Sequence, residues 1–304
     1  MATGALDREV ASGRALTRVS AALWRRPWAR AGALLTPPLA WFVVIYLASL
    51  VVLLVTAFWT INPFTTNIER VWNLGNFKLL VQNSGYRSII LRTAGMAAVV
   101  TVADAVAAFP FAYYMARVAR PRIRTVLFVA VLLPLWANYL VRVYAWTLIF
   151  THDGVLNWAL GKIGIGPVNI LYTNWAVFIA FGYQWLPFMI IPIYAALERI
   201  PDSYLEASSD LGARDWKTMR RVVLPLALPG VVAGAIFTFS LTLGDFVIPT
   251  IVGGKGASFI GKVILDNVGV ANDVPFAAAL AAVPIVVMAM FLFVAKRLGA
   301  FEAL

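Results

Sequence analysis

No cysteine occurs among the 304 residues, and His152 is the single histidine. Disulfides, thiol nucleophiles and Cys/His metal centres are excluded from the outset. Charge is scarce too: 13% of residues are Asp, Glu, Lys or Arg against 62% hydrophobic, with a mean hydropathy of +0.83. Soluble domains carry about a quarter charged residues, so this chain reads as an integral membrane protein. The formal charge is +11, yet no five like charges run together, and no nucleic-acid partner is expected.

What the chain does have is long apolar runs. A hydrocarbon core of about 30 Å takes roughly 20 apolar residues as a helix. Six stretches meet this length: Leu39–Trp59, Thr93–Tyr114, Val126–Phe150, Trp175–Leu197, Pro229–Val252 and Phe276–Val294. Lipid leaves no water to satisfy open backbone groups, so the spans are expected to be helices and the fold class all-α, with six transmembrane helices. The expected organisation is an N-terminal segment over 1–38, a membrane domain over 39–294 containing a polar loop at 198–228, and a tail over 295–304. Arg8, Arg14, Arg18, Arg25, Arg26 and Arg30 precede the first apolar run and no small-residue cleavage site follows it, so the first span is expected to stay in the mature protein.

Basic residues set the orientation, because loops rich in Lys and Arg stay in the cytoplasm. Seventeen of the 25 fall in the N-terminal segment, the second loop, the fourth loop and the tail; seven fall on the other side, and Arg142 lies within a span. Both termini and the fourth loop are therefore expected to be cytoplasmic. Prolines inside the spans (Pro110, Pro134, Pro187, Pro192, Pro249, Pro284) predict kinks.

The fourth loop reads as two short helices joined by a turn. Ser203 with Glu206 three residues on predicts a capping box, Gly212 is placed to end the first helix, and Asp215 to cap the second. Its five acids balance five bases, and Tyr204, Leu205, Leu211 and Trp216 are expected to be exposed, which calls for a partner surface.

The spacing Glu206-Ala207-Ser208, Gly212, then nine residues to Val222-Val223-Leu224-Pro225 resembles the EAA loop of ATP-binding-cassette importer permeases. Ser208 replaces the usual third alanine and Val222 an isoleucine. The segments Leu133–Arg142, Leu186–Met189 and Gly244–Pro249 extend the likeness, which is nearest to the spermidine/putrescine permeases. The resemblance implies a type I ABC importer permease fold in the bacterial inner membrane and a non-enzymatic subunit holding no cofactor, with ATP and Mg bound by a partner ATPase. It further implies that Ser203, Glu206, Ala207, Asp210, Leu211, Gly212, Leu224 and Pro225 engage an ATPase dimer. A second permease, preferably a distinct one, would complete the pathway, and an extracytoplasmic solute-binding protein would deliver the solute. The cargo it implies is a polyamine or similar small organic cation; another small solute, amino-acid-like or anionic, is the alternative, and a stand-alone channel or secondary transporter a weaker one.

Ionisable groups inside a membrane are costly and mark sites. Asp245 and Arg142 each lie about 24 Å along their spans, so they are expected either to pair or to leave Asp245 facing a pathway for a cation. Asp104 falls near the midplane, facing a cavity or a partner helix. Trp136, Tyr139, Tyr183 and Trp185 flank these charges and could attract an amine through their rings. Gly256–Lys262 matches the first seven positions of a phosphate-binding loop, but Val263 stands where Ser or Thr would hold magnesium. No metal site is expected, and His152 beside Asp153 reads as a loop pair.

Overall fold

The computed structural model describes residues 27–62 and 64–297. Arg8, Arg14, Arg18, Arg25 and Arg26, and residues 298–304 of the tail, lie outside the described residues. The chain divides after Thr56 into two units.

In the first unit, α1 (Pro27–Trp41) runs through a π turn at Phe42–Leu47 into α2 (Ala48–Thr56). Leu34, Trp41, Val44 and Val52 are exposed along it, as a lipid-facing helix requires.

The second unit opens with a short antiparallel pair, β1 (Thr60–Ile61) and β2 (Ile68–Glu69), and α3 (Gly75–Gln82). Then come α4 (Ser84–Tyr113, extended by a π turn to Val118), α5 (Pro121–Trp136), α6 (Tyr139–Phe150), α7 (Val155–Lys162) and α8 (Asn174–Glu198). The polar loop holds α9 (Asp202–Asp210) and α10 (Asp215–Thr218), the latter winding through a π turn into α11 (Leu224–Gly244). The chain ends in α12 (Val247–Ile251), α13 (Ile260–Gly269) and α14 (Val274–Arg297).

Among the described residues, five helices are long and apolar enough to cross a membrane: Leu34–Thr56, Ser84–Val118, Asn174–Glu198, Asp215–Gly244 and Val274–Arg297. The bent pair Pro121–Trp136 and Tyr139–Lys162 makes six if it counts as one span. Two expected spans are not continuous. The third bends by 95° at Ala137–Asn138, because Pro134 weakens the ladder and the Asn138 carboxamide captures the Leu140 N–H at 2.9 Å, starting a new helix. The fifth starts earlier than Pro229, at Asp215, and stops at Gly244. Depths counted along unbroken helices for Arg142 and Asp245 therefore do not apply.

The bundle is centred on α4, α8 and α11. A Cβ on Gly230 would lie 2.5 Å from the Pro192 carbonyl oxygen, and one on Gly234 would lie 3.0 Å from Met189 Cα. Glycines four apart thus let α11 approach the α8 backbone, the small-residue contact that drives helix association in lipid. Met189, Ile193, Leu197, Ala108, Ala112, Val223 and Ala227 fill the core beside this contact. A second core, built on Phe181, Val177, Ile248 and Phe259, joins α8 to α12 and the segment before α13.

Arg117 Nη1 meets Asp202 Oδ1 at 2.7 Å and Arg124 Nη1 meets Glu198 Oε1 at 3.5 Å. The second and fourth loops, both basic in the charge count, therefore share one face of the bundle.

Candidate functional site

The polar loop is built around Gly212. Its φ of +74° is a conformation that glycine adopts at little cost. Gly212 N–H donates to the Ser209 carbonyl at 2.8 Å and Ala213 N–H to that of Ser208 at 3.1 Å, the paired bonds of a Schellman stop. The expected capping box is absent. Pro201, extended at ψ 142°, precedes the helix without a side-chain cap, and Ser203 lies inside α9 while Asp202 takes the first turn. Proline already fixes the entry φ, so the helix starts two residues earlier than a Ser203 cap would allow. Asp215 likewise occupies the first turn of α10 rather than capping it, with Arg214 before it. The second helix is not a separate short one, since it is the start of a 30-residue helix.

Ser208 Oγ lies 2.9 Å from Thr218 Oγ1, tying α9 to α10 across the turn. No residue of α9 is buried. Tyr204, Leu211 and Trp216 are exposed, Leu211 at 87%. Leu205 departs from expectation by packing on the core beneath α9. Glu206, Ala207, Asp210, Leu224 and Pro225 are exposed on the same polar stretch.

A second constellation lies where the two broken spans meet. Asp245 Oδ1 accepts the Val247 and Ile248 N–H groups at 2.7 and 3.1 Å, satisfying free donors at the start of α12. Its Oδ2 accepts the Tyr139 hydroxyl. Tyr139 in turn stacks on Trp185, with centroids 6.1 Å apart. No ion pair joins Asp245 to Arg142 among the described residues. With the Gln184 amide oriented so that its oxygen faces the guanidinium, Gln184 accepts from Arg142 Nη2 and Nη1 at 3.0 and 3.2 Å. The pairing fails because the Asp245 carboxylate is already engaged by three nearer donors.

Asp104 is elsewhere. It is buried on α4, where a Cβ on Gly182 of α8 would lie 3.2 Å from its Oδ1, and its Oδ2 has no partner among the described residues. Of the two settings expected for it, the structure gives a partner helix. Tyr183 meets Trp146 edge-on at 5.3 Å and borders a cavity of about 260 Å³ with Pro134 and Pro187, whereas Trp136 is 85% exposed and stands apart from the Asp245 cluster.

Gln184 and Gly261 do not announce themselves in the sequence as parts of this site. An amide inside an apolar span was the available signal for Gln184. Gly261 reads in sequence as part of the phosphate-loop pattern, but a Cβ there would lie 2.7 Å from the Asp245 carbonyl oxygen, so the glycine lets α13 approach the helix break. Lys262 Nζ donates to the Gly254 carbonyl at 3.0 Å. His152 and Asp153 pair at 3.2 Å in an exposed turn.

Residues 108–301 match the family of binding-protein-dependent transport system inner membrane components. The chain is 46% identical over 302 residues to the inner membrane ABC transporter permease protein YdcU of Escherichia coli, covering 95% of this chain and 96% of that protein. It is 34% identical over 236 residues to the spermidine/putrescine transport system permease protein PotB of Haemophilus influenzae, covering 77% of this chain and 80% of that one. A bacterial ABC transporter involved in import of the acidic polysaccharide alginate shares the fold, with a TM-score of 0.72 at 18% identity over 92% of this chain and 99% of that one. The chain belongs to the binding-protein-dependent transport system inner membrane components: it is a multi-pass, non-enzymatic ABC importer permease of the inner membrane.

Proposed function

We propose that the chain carries a polyamine or similar small organic cation, and that it does so where its two broken spans meet. The observation that carries this reading is the Asp245 carboxylate at the end of α11, bonded to the hydroxyl of Tyr139, on whose ring Trp185 stacks. Open backbone at membrane depth is tolerated where protein buries it or a watery cavity adjoins it, and discontinuous helices are where transporters of several folds bind their cargo. A carboxylate and aromatic faces are the groups that attract an ammonium. Likeness to the spermidine/putrescine permease PotB supports the same cargo.

In this reading both termini are cytoplasmic, and the exposed face of α9 with the turn into α10, presenting Tyr204, Leu211 and Trp216, receives one ATPase of a dimer that binds ATP and Mg. A second permease, preferably a distinct chain, completes the pathway, and a solute-binding protein delivers cargo from outside. ATPase closure moves α9, and the packed bundle switches between two arrangements.

Arg142 favours a second reading, an amino-acid-like or anionic solute, because its guanidinium is inside the membrane and its Nε is buried without a partner. One experiment separates the two. The cognate solute-binding protein is screened by calorimetry against putrescine, spermidine, amino acids and alkylphosphonates, and hits are followed by uptake into proteoliposomes holding the complete transporter. Polyamine binding with matching uptake sustains the first reading; a hit confined to anions or zwitterions replaces it with the second.

A further inference from the structure

We propose that Arg117 is the positioning residue that fastens α9 to the bundle and carries its movement into α4. The proposal rests on the reading of α9 as the ATPase-docking helix.

Little holds α9 in place. It buries no residue of its own, no side chain caps it, and Pro201 leads into it in an extended conformation. Leu205 packs against the core, and Ser208 meets Thr218 of the helix that continues into α11. At its start the fastening comes from another helix. Arg117 lies in the π turn that ends α4, and its side chain is only 12% exposed. Nη1 donates to Asp202 Oδ1 at 2.7 Å, while Nη2 donates to the Leu197 carbonyl at 2.6 Å and to the Ile200 carbonyl.

Those acceptors are not equivalent. Leu197 and Ile200 carry carbonyls at and just beyond the end of α8, where a cation is favoured. Asp202 is in the first turn of α9, where an anion is favoured. One planar guanidinium thus spans the joint between the two helices. A lysine ammonium lacks the rigid fork needed to hold three acceptors at once. Arg124 shows the contrast. It donates to the Met115 and Ala116 carbonyls at 3.1 and 3.0 Å, so it closes the end of α4 without touching α9. Of the two, only Arg117 links α4 to α9, so a displacement of α9 reaches α4 directly as well as through its neighbours in sequence.

The absence of cysteine allows a direct test. Spin labels are placed at Arg87→Cys on α4 and Asn174→Cys on α8, both exposed near the ends remote from α9, in the complete transporter in nanodiscs. The distance between them is read with and without ATP and vanadate. In the parent chain it shifts with nucleotide. In Arg117→Ala the shift is lost while the complex stays assembled and ATP hydrolysis continues; Arg117→Lys gives a partial shift. A full shift in Arg117→Ala overturns the proposal. Should Arg117→Ala fail to assemble, Asp202→Asn takes its place, since Asp202 is 82% exposed; a reduced shift supports the proposal and an unchanged one overturns it. Leu211→Ser and Trp216→Ser separate the underlying reading. If they leave ATPase capture intact, the docking role of α9 fails; if they abolish capture while Arg117→Ala keeps the full shift, the role of Arg117 fails alone.

Discussion

Tyr139 donates its hydroxyl to Asp245 across 106 positions of sequence, joining the start of α6 to the end of α11. Both residues stand at helix breaks, and each break has its own local cause. Asn138 starts one new helix, and Asp245 engages the first N–H groups of the other. The bond therefore ties two interruptions together rather than two regular helices.

Asp245→Asn separates charge from scaffold at this point. An asparagine oxygen accepts the Val247 and Ile248 N–H groups as the carboxylate does, because Asn and Asp serve equally at helix starts. The complex is expected to assemble while uptake of labelled putrescine into proteoliposomes falls by about tenfold or more, matching one lost charge-assisted contact of roughly 1.5–3 kcal/mol. Loss of assembly instead would assign Asp245 to holding the breaks together and remove it from the pathway.

A second prediction concerns Gln184, which is 1% exposed and faces Arg142. Gln184→Leu takes away the acceptor for both Nη groups, leaving a guanidinium inside the membrane domain without it. The expected loss is about 1–3 kcal/mol of stability, read as a lower midpoint for retained monodisperse protein on heating in detergent. The double variant Arg142→Met, Gln184→Leu should recover part of it, because removing both partners costs less than removing one. Additive losses would show that the two side chains do not act as a pair.

How far the sequence carried these sites depended on the kind of signal each residue gives. Apolar length marked the spans, and the Gly212 turn was readable because only a few residue types take positive φ. The breaks were harder. Asn138 and Asp245 look like polar residues within long apolar runs, and periodicity does not say whether such a residue faces a neighbour or ends the helix. Arg117 looks in sequence like one of several loop charges, since its role comes from three acceptors 80 to 85 positions away. Ser203 misled for a local reason: the capping pattern was present, but Pro201 had already started the helix.

The α8–α11 contact yields a third prediction. Gly234→Leu would push a side chain into the Met189 backbone, with Cβ alone at 3.0 Å from its Cα. Overpacking of this kind costs about 1–3 kcal/mol or more, and here it separates α8 from α11. The variant should be recovered at much lower yield from membranes and elute as aggregate, whereas Gly244→Ala, with open space around its Cβ position, should be recovered at the parent level. Equal recovery of both would show that close approach at Gly234 is not required.

Gly212 supplies the last prediction, and it separates a turn from a surface. An alanine at φ +74° keeps the N–H bonds to Ser209 but pays about 1–2 kcal/mol for a left-handed L-residue. A valine costs more, because its branched Cβ is least tolerated at positive φ. The effect on α9 is graded: capture of the ATPase by the tagged complex should weaken with Gly212→Ala and fall further with Gly212→Val. Leu211→Ser leaves that backbone untouched and alters only an 87% exposed side chain. It should lose capture with no change in thermal stability. If Gly212→Val captures the ATPase as the parent does, the turn does not set the presentation of α9; if Leu211→Ser does so, the docked surface lies elsewhere on the loop.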